Sequence, residues 1–197
     1  MTETAAPTRT ARREAICDAV FELLGEVGYD QMSMDAIATR ARTSKATLYR
    51  AWPHKPSLVI DAVTRRLGNT PEAPDTGTLR GDLVALMTRA CEVANSPGGT
   101  VIAGLMSAAA HNPELATALY RCTYEAKQSV HETIIARAVA RAEIPAGTAA
   151  GLLHEVLHAM VLNRRMWAIG PLDADFVVHV VDDVLLPVLR RGCPTDG

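Results

Sequence analysis

Residues 33–55 constrain the fold more than any other part of this 197-residue chain, because they require two short helices with a tight break between them. Ser33 is a favourable helix N-cap, and apolar residues follow it at the three- and four-residue spacing of one helix face. Two polar residues then interrupt the pattern, Ser44 caps a second helix, and Pro53 ends it. This arrangement predicts a helix-turn-helix, in which the first helix supports the second in a DNA major groove.

The charge of residues 40–55 indicates a partner with a negative surface. This window contains no acidic residue and five basic ones, namely Arg40, Arg42, Lys45, Arg50 and Lys55. Neutral hydroxyl groups that can donate to phosphate oxygens or base edges accompany them at Ser33, Thr43, Ser44, Thr47 and Tyr49. The alternative is an ordinary helical hairpin whose basic face is only solvated.

The order of residues in this region closely resembles the DNA-binding signature of the TetR family of bacterial transcriptional regulators. The similar segment runs from Ile16 to Leu58 and contains the Gly28-Tyr29 turn, Ser33-Met34-Asp35-Ala36-Ile37-Ala38, Ser44-Lys45-Ala46-Thr47-Leu48-Tyr49 and Trp52-Pro53-His54-Lys55. The family usually has glycine where Arg42 stands and valine where Thr43 stands, so this sequence departs from the pattern at the turn.

The resemblance implies that the start of the second helix faces the groove and that Lys55 contacts the DNA backbone. Arg42, where the sequence departs from the family, is expected to add a phosphate contact. The expected DNA-binding residues are Ser33, Arg42, Thr43, Ser44, Lys45, Thr47, Tyr49, Arg50 and Lys55. Three further cations near the beginning of the chain are either solvated charges or part of a leading arm along a phosphate strand: Arg9, Arg12 and Arg13.

The whole chain is expected to be all-α, with an N-terminal three-helix helix-turn-helix domain and a C-terminal helical domain. We expect a disordered arm at residues 1–8, the DNA-binding domain at 9–55, a connecting helix at 56–67 and a ligand-binding and dimerisation domain at 68–197. Turn residues divide the last of these into helices at about 78–94, 100–110, 113–142, 146–169 and 173–189.

Charge is divided unevenly between the two parts of the chain. Residues 1–67 carry ten Lys/Arg against eight Asp/Glu, a net charge of +2, whereas residues 68–197 carry ten against fourteen, a net charge of −4. This asymmetry fits a protein that approaches DNA with its N-terminal part only.

The cysteines and the hydropathy predict a cytoplasmic protein. The four cysteines are far apart and include no C-x-x-C pair, which indicates reduced thiols rather than a disulfide framework or a zinc site. Residues 1–13 lack the apolar core of a signal peptide, and no segment contains the ~18 apolar residues that a membrane span needs.

Two wide apolar stripes near the C-terminus predict a homodimer interface, although the pattern alone is also compatible with a single-chain core. The resemblance favours the dimer, because in the family the last two helices of each subunit pair with those of its partner. The expected interface residues are Leu153, Val156, Leu157, Met160, Phe176, Val177, Val180 and Val184. Two recognition helices held in this way would read both halves of a palindromic operator.

One motif indicates a different function. His154-Glu155-Val156-Leu157-His158 is a formal H-E-x-x-H, the pattern in which two histidines bind zinc and the glutamate acts as general base. The third histidine of one common arrangement is missing, and no glutamate follows downstream to complete the other. We therefore interpret both histidines as packing or pocket residues and expect no catalytic residue, no cofactor and no functional metal, with adventitious or regulatory metal binding left as an alternative.

A sensor domain should contain a pocket, and the candidate lining residues are Met87, Cys91, Met106, Tyr120, Tyr124, His158 and Trp167, each of which is individually more typical of plain core. Such a lining favours an apolar or aromatic small-molecule effector. The sequence thus predicts a DNA-binding transcriptional regulator, expected to be a ligand-responsive repressor. The alternatives are a zinc-dependent hydrolase and an architectural DNA-binding dimer that no ligand controls.

Overall fold

The computed structural model describes residues 8–67 and 72–191, and within these ranges all regular secondary structure is helical. The helices are α1 (Arg9–Gln31), α2 (Met34–Arg40), α3 (Lys45–Ala51), α4 (Lys55–Leu67), α5 (Leu79–Asn95), α6 (Pro97–Ala109), α7 (Pro113–Tyr120), α8 (Ala126–Ala140), α9 (Ala150–Trp167), α10 (Ala174–His179) and α11 (Leu186–Arg191). Short π-helical segments, Arg121–Glu125 and Val180–Leu185, join α7 to α8 and α10 to α11. The all-α prediction is confirmed.

Two expectations from the sequence concern the N-terminal arm and membrane-spanning helices. The arm predicted at residues 1–8 lies outside the described residues except for Thr8, whose hydroxyl oxygen caps α1 by accepting a hydrogen bond from the Ala11 amide (3.2 Å). None of the described helices is at once long enough and apolar enough to cross a lipid bilayer.

The chain divides into two compact units, of which the first contains Met1–Asn69 and Thr100–Cys122. Its core is aliphatic and comes from α1 to α4, α6 and α7. The buried side chains that form it include Ile16, Val20, Leu23, Ile37, Leu48, Leu58, Val59, Ala62, Leu105 and Leu115. A compact aliphatic core of this kind holds the short helices α2 and α3 in place.

The two compact units and the predicted domains divide the chain differently. The predicted boundary at residue 68 assigned Thr100–Cys122 to the C-terminal domain, but this segment belongs to the first unit. It buries Val101 and Leu105 from α6, and Leu115 and Leu119 from α7, in the same core as α4. Both pairs have the four-residue spacing of a helix face, so the sequence indicates which residues are buried. It does not indicate which helices they pack against, because that depends on tertiary structure.

The second unit contains Thr70–Gly99 and Thr123–Gly197, and its core is formed by α5, α8, α9, α10 and the π-helical segment after α10. A buried carboxylate ties the beginning of α5 to the end of α8. Asp82 is fully buried, and it accepts hydrogen bonds from the Thr76 amide (2.7 Å) and from the guanidinium of Arg141 (3.2 Å). Glu143 accepts from the Leu79 amide at 2.9 Å and the Thr78 hydroxyl oxygen accepts from the Gly81 amide at 3.1 Å, so two of the orphan donors at this helix start are paired.

Three helix boundaries differ from the predicted ones for local reasons. Helix α6 begins at Pro97, inside the predicted turn, because proline suits the first position of a helix, where its missing N–H has no function. The predicted helices 113–142 and 173–189 are each interrupted by a π-helical segment. Such segments insert one extra residue into a turn, and hydrophobic periodicity does not reveal them.

Three helices end in the same hydrogen-bonding motif with a non-glycine residue at its left-handed position. Arg42, Ala142 and Ala168 have φ values of 49°, 58° and 48°. After α8, the Glu143 amide donates to the Ala138 carbonyl (3.0 Å) and the Ala142 amide to the Val139 carbonyl (2.9 Å), which is the Schellman pattern. A side chain in this conformation costs about 1–2 kcal/mol, so these positions are strained.

We expect Ala142→Gly to raise the free energy of unfolding by about 1 kcal/mol, because glycine adopts the left-handed conformation without steric cost. Urea denaturation measures the change. The matched control is Ala136→Gly on the exposed face of α8, which should lower the free energy of unfolding by up to about 1 kcal/mol. Equal destabilisation by both substitutions would contradict the strain at Ala142.

Candidate nucleic-acid interface and histidine cavity

Each helix of the predicted helix-turn-helix is capped by the serine that the sequence indicated. The Ser33 hydroxyl oxygen accepts a hydrogen bond from the Ala36 amide (3.1 Å), and that of Ser44 accepts one from the Thr47 amide (3.2 Å). The Ser44 and Thr47 hydroxyl oxygens also lie 2.9 Å apart and share one hydrogen bond. One of these two hydroxyls therefore keeps a proton to donate to another acceptor, as does Ser33.

The turn between α2 and α3 is a second Schellman motif. The Thr43 amide donates to the Ala38 carbonyl (2.9 Å), and the Arg42 amide donates to the Thr39 carbonyl (3.2 Å). Arg42 occupies the left-handed position, where the family pattern has glycine. The departure seen in the sequence thus leaves the turn geometry intact and adds an exposed cation at its apex.

Several of the predicted DNA-binding residues lie together along one cleft. The cleft runs between the beginning of α1 and the turn, and its lining residues are Ala11, Arg12, Ala15, Ala41, Arg42, Thr43, Ser44 and Thr47. Lys45, Tyr49 and Arg50 are exposed on the neighbouring surface of α3. Arg12 joins this set from α1, whereas Arg13 donates to the Asp61 carboxylate (3.0 Å) and lies 5.3 Å from the centroid of the Trp52 ring.

The positive charge of this surface is smaller than the sequence window suggested. The Arg40 guanidinium donates to the carboxylates of Glu26 (2.7 Å) and Glu22 (3.1 Å) on α1, and these hydrogen bonds lower the pKa of Glu26. The Lys45 ammonium lies 2.6 Å from the Asp35 carboxylate. Within the described ranges, Arg42 and Arg50 form no ion pair, so they are the cations of residues 40–55 that remain fully available to a phosphate.

Lys55 has a role inside the first unit that the sequence did not predict. Its ammonium donates to the backbone carbonyls of Tyr29 (2.8 Å) and Met32 (3.0 Å) and lies 4.0 Å from the centroid of the Tyr29 ring. Burial lowers the pKa of this ammonium. Two of its three N–H donors are therefore used to hold the end of α1 to the start of α4, and a phosphate contact by the third stays a prediction.

The residues predicted to line a ligand pocket are scattered. Met87 and Cys91 are packed in the core of the second unit, where burial raises the pKa of the Cys91 thiol to about 11. Met106 and Tyr120 belong to the first unit and are largely exposed, and Trp167 is 69% exposed. None of these five residues is in the lining of the cavity found in the second unit, because helix periodicity does not distinguish a cavity wall from a filled core or an exposed face.

The second unit contains a cavity of about 230 Å³ that includes one of the predicted residues, Tyr124. Its lining residues are Tyr124, Gln128, His131, Glu132, Ala150, Gly151 and His154, and the predicted His158 stacks against His154 with 3.9 Å between ring centroids. Sequence reasoning missed His131 and Gln128. The only available signal was the pair of polar side chains at three-residue spacing on α8.

The three imidazoles of this cavity form a continuous aromatic cluster with Tyr124. The ring centroids of Tyr124 and His154 are 4.3 Å apart and those of His131 and His154 are 5.0 Å apart, both in edge-to-face geometry. His158 Nδ1 lies 2.9 Å from the His154 carbonyl oxygen, so this nitrogen carries the proton. His154 Nδ1 is buried and has no hydrogen-bond partner.

All three histidines are uncharged at neutral pH. Burial, with the neighbouring imidazole of His154 and the ammonium of Lys127, lowers the pKa of His131 to about 4. Burial and Lys127 lower the pKa of His154 to about 4, and the same causes, with the other two imidazoles, lower that of His158 to about 3. Uncharged imidazoles keep one acceptor and one donor each, which suits a hydrogen-bonding ligand better than a charged one.

The residues of the formal H-E-x-x-H motif differ in exposure. Glu155 is exposed, whereas His154 is buried. Over residues 8–67 and 72–191, no group of three or more His, Cys, Asp or Glu side chains is arranged to hold a metal ion.

Most of the predicted dimer-interface residues are buried within the chain itself. Leu153, Leu157, Phe176, Val177 and Val180 are at most 3% exposed and belong to the core of the second unit. The prediction that they contact another chain is therefore wrong, because the inner face of each stripe fills this core. Val156, Met160 and Val184 are only partly buried and remain accessible to a partner.

Comparison with known proteins agrees with this geometry. The family model of bacterial regulatory proteins, tetR family, matches residues 16–62, and the model of the tetracyclin repressor-like C-terminal domain matches residues 73–184. A DNA-binding transcriptional repressor TetR of Mycobacteroides abscessus is 35% identical over 182 residues, which cover 92% of this chain and 95% of the relative.

Solved structures share the fold over nearly the whole chain. The TetR family transcription regulator SCO0332 is 29% identical with a TM-score of 0.70, and the match covers 93% of this chain and 99% of that one. The transcriptional regulator FadR from Bacillus subtilis, solved in complex with stearoyl-CoA, is 18% identical with a TM-score of 0.65, covering 91% and 98%. At that identity the second likeness shows the fold alone.

A capped helix-turn-helix with exposed cations and hydroxyls, followed by a second helical unit, defines the class of DNA-binding transcriptional regulators. The chain belongs to the TetR family of these regulators, as the family models and the relative from Mycobacteroides abscessus show. The resemblance inferred from residues 16–58 is thereby confirmed, and so is the expected function in transcription regulation.

The uncharged histidines generate a prediction for stability against pH. In the unfolded chain a histidine titrates near pH 6.5, whereas His131 and His154 stay neutral in the folded chain down to about pH 4. The unfolded state therefore binds more protons between these values, and the free energy of unfolding falls as the pH drops from 6.5 towards 4. We expect a loss of about 1 kcal/mol or more per histidine between pH 7.5 and 5.5, measured by urea denaturation.

Substitution separates this effect from general acid sensitivity. His154→Phe should make the dependence on pH shallower, because the phenyl ring keeps the aromatic contacts and takes up no proton. The control His111→Gln, at an exposed turn, should leave the dependence unchanged. An unfolding free energy that is flat between pH 7.5 and 5.5 in the unsubstituted chain would show that the cluster is not neutral by burial.

Proposed function

We propose that this regulator is a cytoplasmic repressor that binds a palindromic operator as a homodimer and leaves it when a small molecule occupies the second unit. The observation that carries the DNA-binding part is the cleft beside α3, where Arg12 and Arg42 stand next to the hydroxyls of Thr43, Ser44 and Thr47. Cations beside free hydroxyl donors on a solvent-facing surface suit a phosphate backbone followed by base edges.

The geometry supports a division of labour among these residues. Arg42 and Arg50 form no ion pair among the described residues and would contact phosphates, together with Arg12 and Ser33. Lys45, Thr47 and Tyr49 lie on α3 itself and would reach the base edges in the major groove. Lys45 must leave Asp35 to do so, which lowers its net contribution to affinity.

The proposed homodimer uses the outer faces of the C-terminal helices, since the inner faces are filled. On α9 the outward apolar residues are Leu152, Val156 and Met160, partly buried, and Trp167, exposed. Beyond α9 the equivalent residues are Val178, Val184 and Val188. A dimer of this kind supports two recognition helices about 34–36 Å apart, one helical turn of DNA.

The named relatives support repression, since the Mycobacteroides abscessus protein is called a transcriptional repressor. Release from DNA requires that the ligand prefer a conformation that does not fit the operator. A hundredfold loss of operator affinity needs a preference of about 2.7 kcal/mol for that conformation.

Arg42→Gly tests the phosphate contact without damaging the turn. The substitution should stabilise the first unit, because glycine relieves the strain at φ 49°. It should nevertheless weaken binding to every DNA sequence about fivefold or more and reduce the slope of log affinity against log salt by about 1. Fluorescence anisotropy at several salt concentrations measures both changes.

Two comparisons make this test specific. Arg89→Ala removes a cation from α5 in the second unit and should leave the salt slope unchanged. Thr47→Val keeps the side-chain shape, so it should alter the preferred base pairs rather than the salt slope. The phosphate role of Arg42 is wrong if the glycine variant keeps both the affinity and the slope of the unsubstituted protein.

The dimer interface is tested by placing charges on the outer and inner faces separately. Met160→Glu combined with Val184→Glu should give a folded monomer with weak operator binding, seen by sedimentation together with an unchanged helical circular dichroism spectrum. Leu157→Glu buries a charge in the core and should unfold the second unit instead, because Leu157 is 1% exposed. Val93→Glu, at an exposed apolar site on α5, serves as the control and should stay dimeric. A dimer that survives the double substitution rules this surface out.

A further inference from the structure

We propose that the cavity lined by Tyr124, His131 and His154 binds a small uncharged aromatic molecule that carries a hydroxyl group, and that such a phenol is the effector of this regulator. The effector role rests on the proposed ligand response, whereas binding to the cavity stands independently of it. Four properties of the cavity support this ligand class: its size, its aromatic walls, its unsatisfied nitrogen and its charge.

The size of the cavity limits the ligand to about one substituted benzene ring. An engineered apolar cavity of about 150 Å³ in another protein accommodates benzene. The cavity here, at about 230 Å³, has room for a ring and a short substituent. Gly151 contributes to this space, because a Cβ atom there would lie 3.1 Å from the Tyr124 hydroxyl.

The walls are aromatic on two helices. Tyr124 meets His154 edge-to-face at 4.3 Å, and His131 of α8 meets the same ring at 5.0 Å. Aromatic pairs prefer such edge-to-face or offset arrangements, and an inserted ring can extend them. An aliphatic ligand of equal volume would make the same area of contact without this interaction.

One buried polar atom requires a hydrogen-bonding partner. Within the described chain, two buried side-chain nitrogens lack one, His154 Nδ1 and Arg164 Nε. The Arg164 guanidinium lies 4.3 Å from the centroid of the Phe176 ring and is not part of the cavity lining. His154 is 8% exposed and its ring lines the cavity. Nδ1 itself is covered by the chain, so a ligand pairs with it after a half-turn of the ring about the Cβ–Cγ bond, which keeps the ring plane stacked on His158.

A hydroxyl group meets the need of His154 whichever tautomer the imidazole adopts. The hydroxyl donates if Nδ1 carries the lone pair, and it accepts if Nδ1 carries the proton. Leaving a buried polar atom unpaired is costly, so a ligand that pairs it gains affinity over an otherwise equal one that does not. An ether or a hydrocarbon satisfies at most one tautomer.

The charges around the cavity favour an uncharged ligand. The ionisable groups that face the histidines are Lys127 and Glu132 on α8, with Tyr124 before it. Burial keeps the three imidazoles neutral, so a cationic ligand would be repelled by the Lys127 ammonium, which opposes the attraction of the exposed Glu132 carboxylate. An anionic ligand would lie beside the Glu132 carboxylate and would need a histidine to take up a proton against its lowered pKa.

The position of Tyr124 suggests how occupancy is transmitted. Tyr124 belongs to the π-helical segment Arg121–Glu125, and the chain passes from the first unit to the second between Cys122 and Thr123 within that segment. Single π-helical turns inside α-helices recur at functional sites. A ligand that contacts Tyr124 therefore acts directly on one of the three places where the chain passes between the two units.

The binding test uses four probes that share one ethylphenyl group, on the full chain. They are 4-ethylphenol, ethylbenzene, 4-ethylbenzoate and 4-ethylbenzylamine, titrated by calorimetry at pH 7.5. We expect 4-ethylphenol to bind about tenfold more tightly than ethylbenzene, because it pairs His154 Nδ1, and more tightly than both charged probes. Equal binding of phenol and hydrocarbon, tighter binding of either charged probe, or no binding of any probe would overturn the ligand class.

Two variants locate the binding in this cavity. His154→Phe keeps the ring and removes the nitrogens, so the preference for 4-ethylphenol over ethylbenzene should disappear while ethylbenzene still binds. Gly151→Val fills the cavity from α9 and should weaken both probes about tenfold or more. Glycine is a weak helix former, so its replacement does not threaten the helix. A preference that persists in His154→Phe would place the phenol elsewhere.

The effector role is tested separately, by fluorescence anisotropy of operator DNA in the presence of saturating 4-ethylphenol. The probe should lower the operator affinity of the unsubstituted protein and leave that of Gly151→Val unchanged. If 4-ethylphenol binds the cavity and the operator affinity does not change, the effector role is wrong although the binding site stands. If the protein binds no palindromic DNA in the absence of any probe, the proposed function fails and the calorimetric result is unaffected.

Discussion

The position of α3 depends on a few buried contacts beneath it. The helix has seven residues, far fewer than the 12–15 that an isolated helix needs to be even marginally stable in water. Its structure is therefore supplied by its surroundings. Leu48 is fully buried, Trp52 is 5% exposed, and the Ser44 cap fixes the first turn. This packing therefore orients every exposed side chain of α3.

At Arg42 the turn accepts backbone strain and presents an exposed positive charge. A glycine there would remove the strain of the left-handed conformation, and this chain carries arginine at φ 49°. The strain, about 1–2 kcal/mol, is compensated by the core of the first unit. Arg42 places its guanidinium at the apex of the turn, where no acidic side chain of the described residues pairs with it.

The helix-turn-helix was predictable because its signals are local. A serine cap, an apolar spacing and a proline end all lie within a few residues of the helix they define. The charge of the surface was not predictable in the same way. Glu22 and Glu26 lie on α1, 14 to 18 positions before their partner Arg40, so a window count of residues 40–55 omits them. Lys55 likewise finds its acceptors at Tyr29 and Met32, which only the folded chain brings near.

The C-terminal stripes show a related limit. Periodicity identified both helices correctly, but it assigned the residues of the innermost face, such as Leu157 and Val180, to an interface between chains. An apolar stripe wider than one helix face can pack on two sides. The sequence does not indicate which side packs against the chain's own core and which is left for a partner chain. In this fold the most apolar residues fill the core. The residues left for a partner are less uniformly apolar, like Met160 and Val184.

Buried polar groups in the second unit fall into two kinds, and the contrast separates architecture from ligand recognition. Asp82 is fully buried and its oxygens accept from Thr76 and Arg141, so it fastens α5 to α8 and leaves nothing unsatisfied. His154 is nearly as buried, yet its Nδ1 has no hydrogen-bond partner among the described residues. Its ring lines the cavity of the second unit. A polar group that serves only stability is normally paired inside the fold, because an unpaired one costs free energy. The unpaired nitrogen of His154 is therefore better explained as a hydrogen-bonding group for a second molecule.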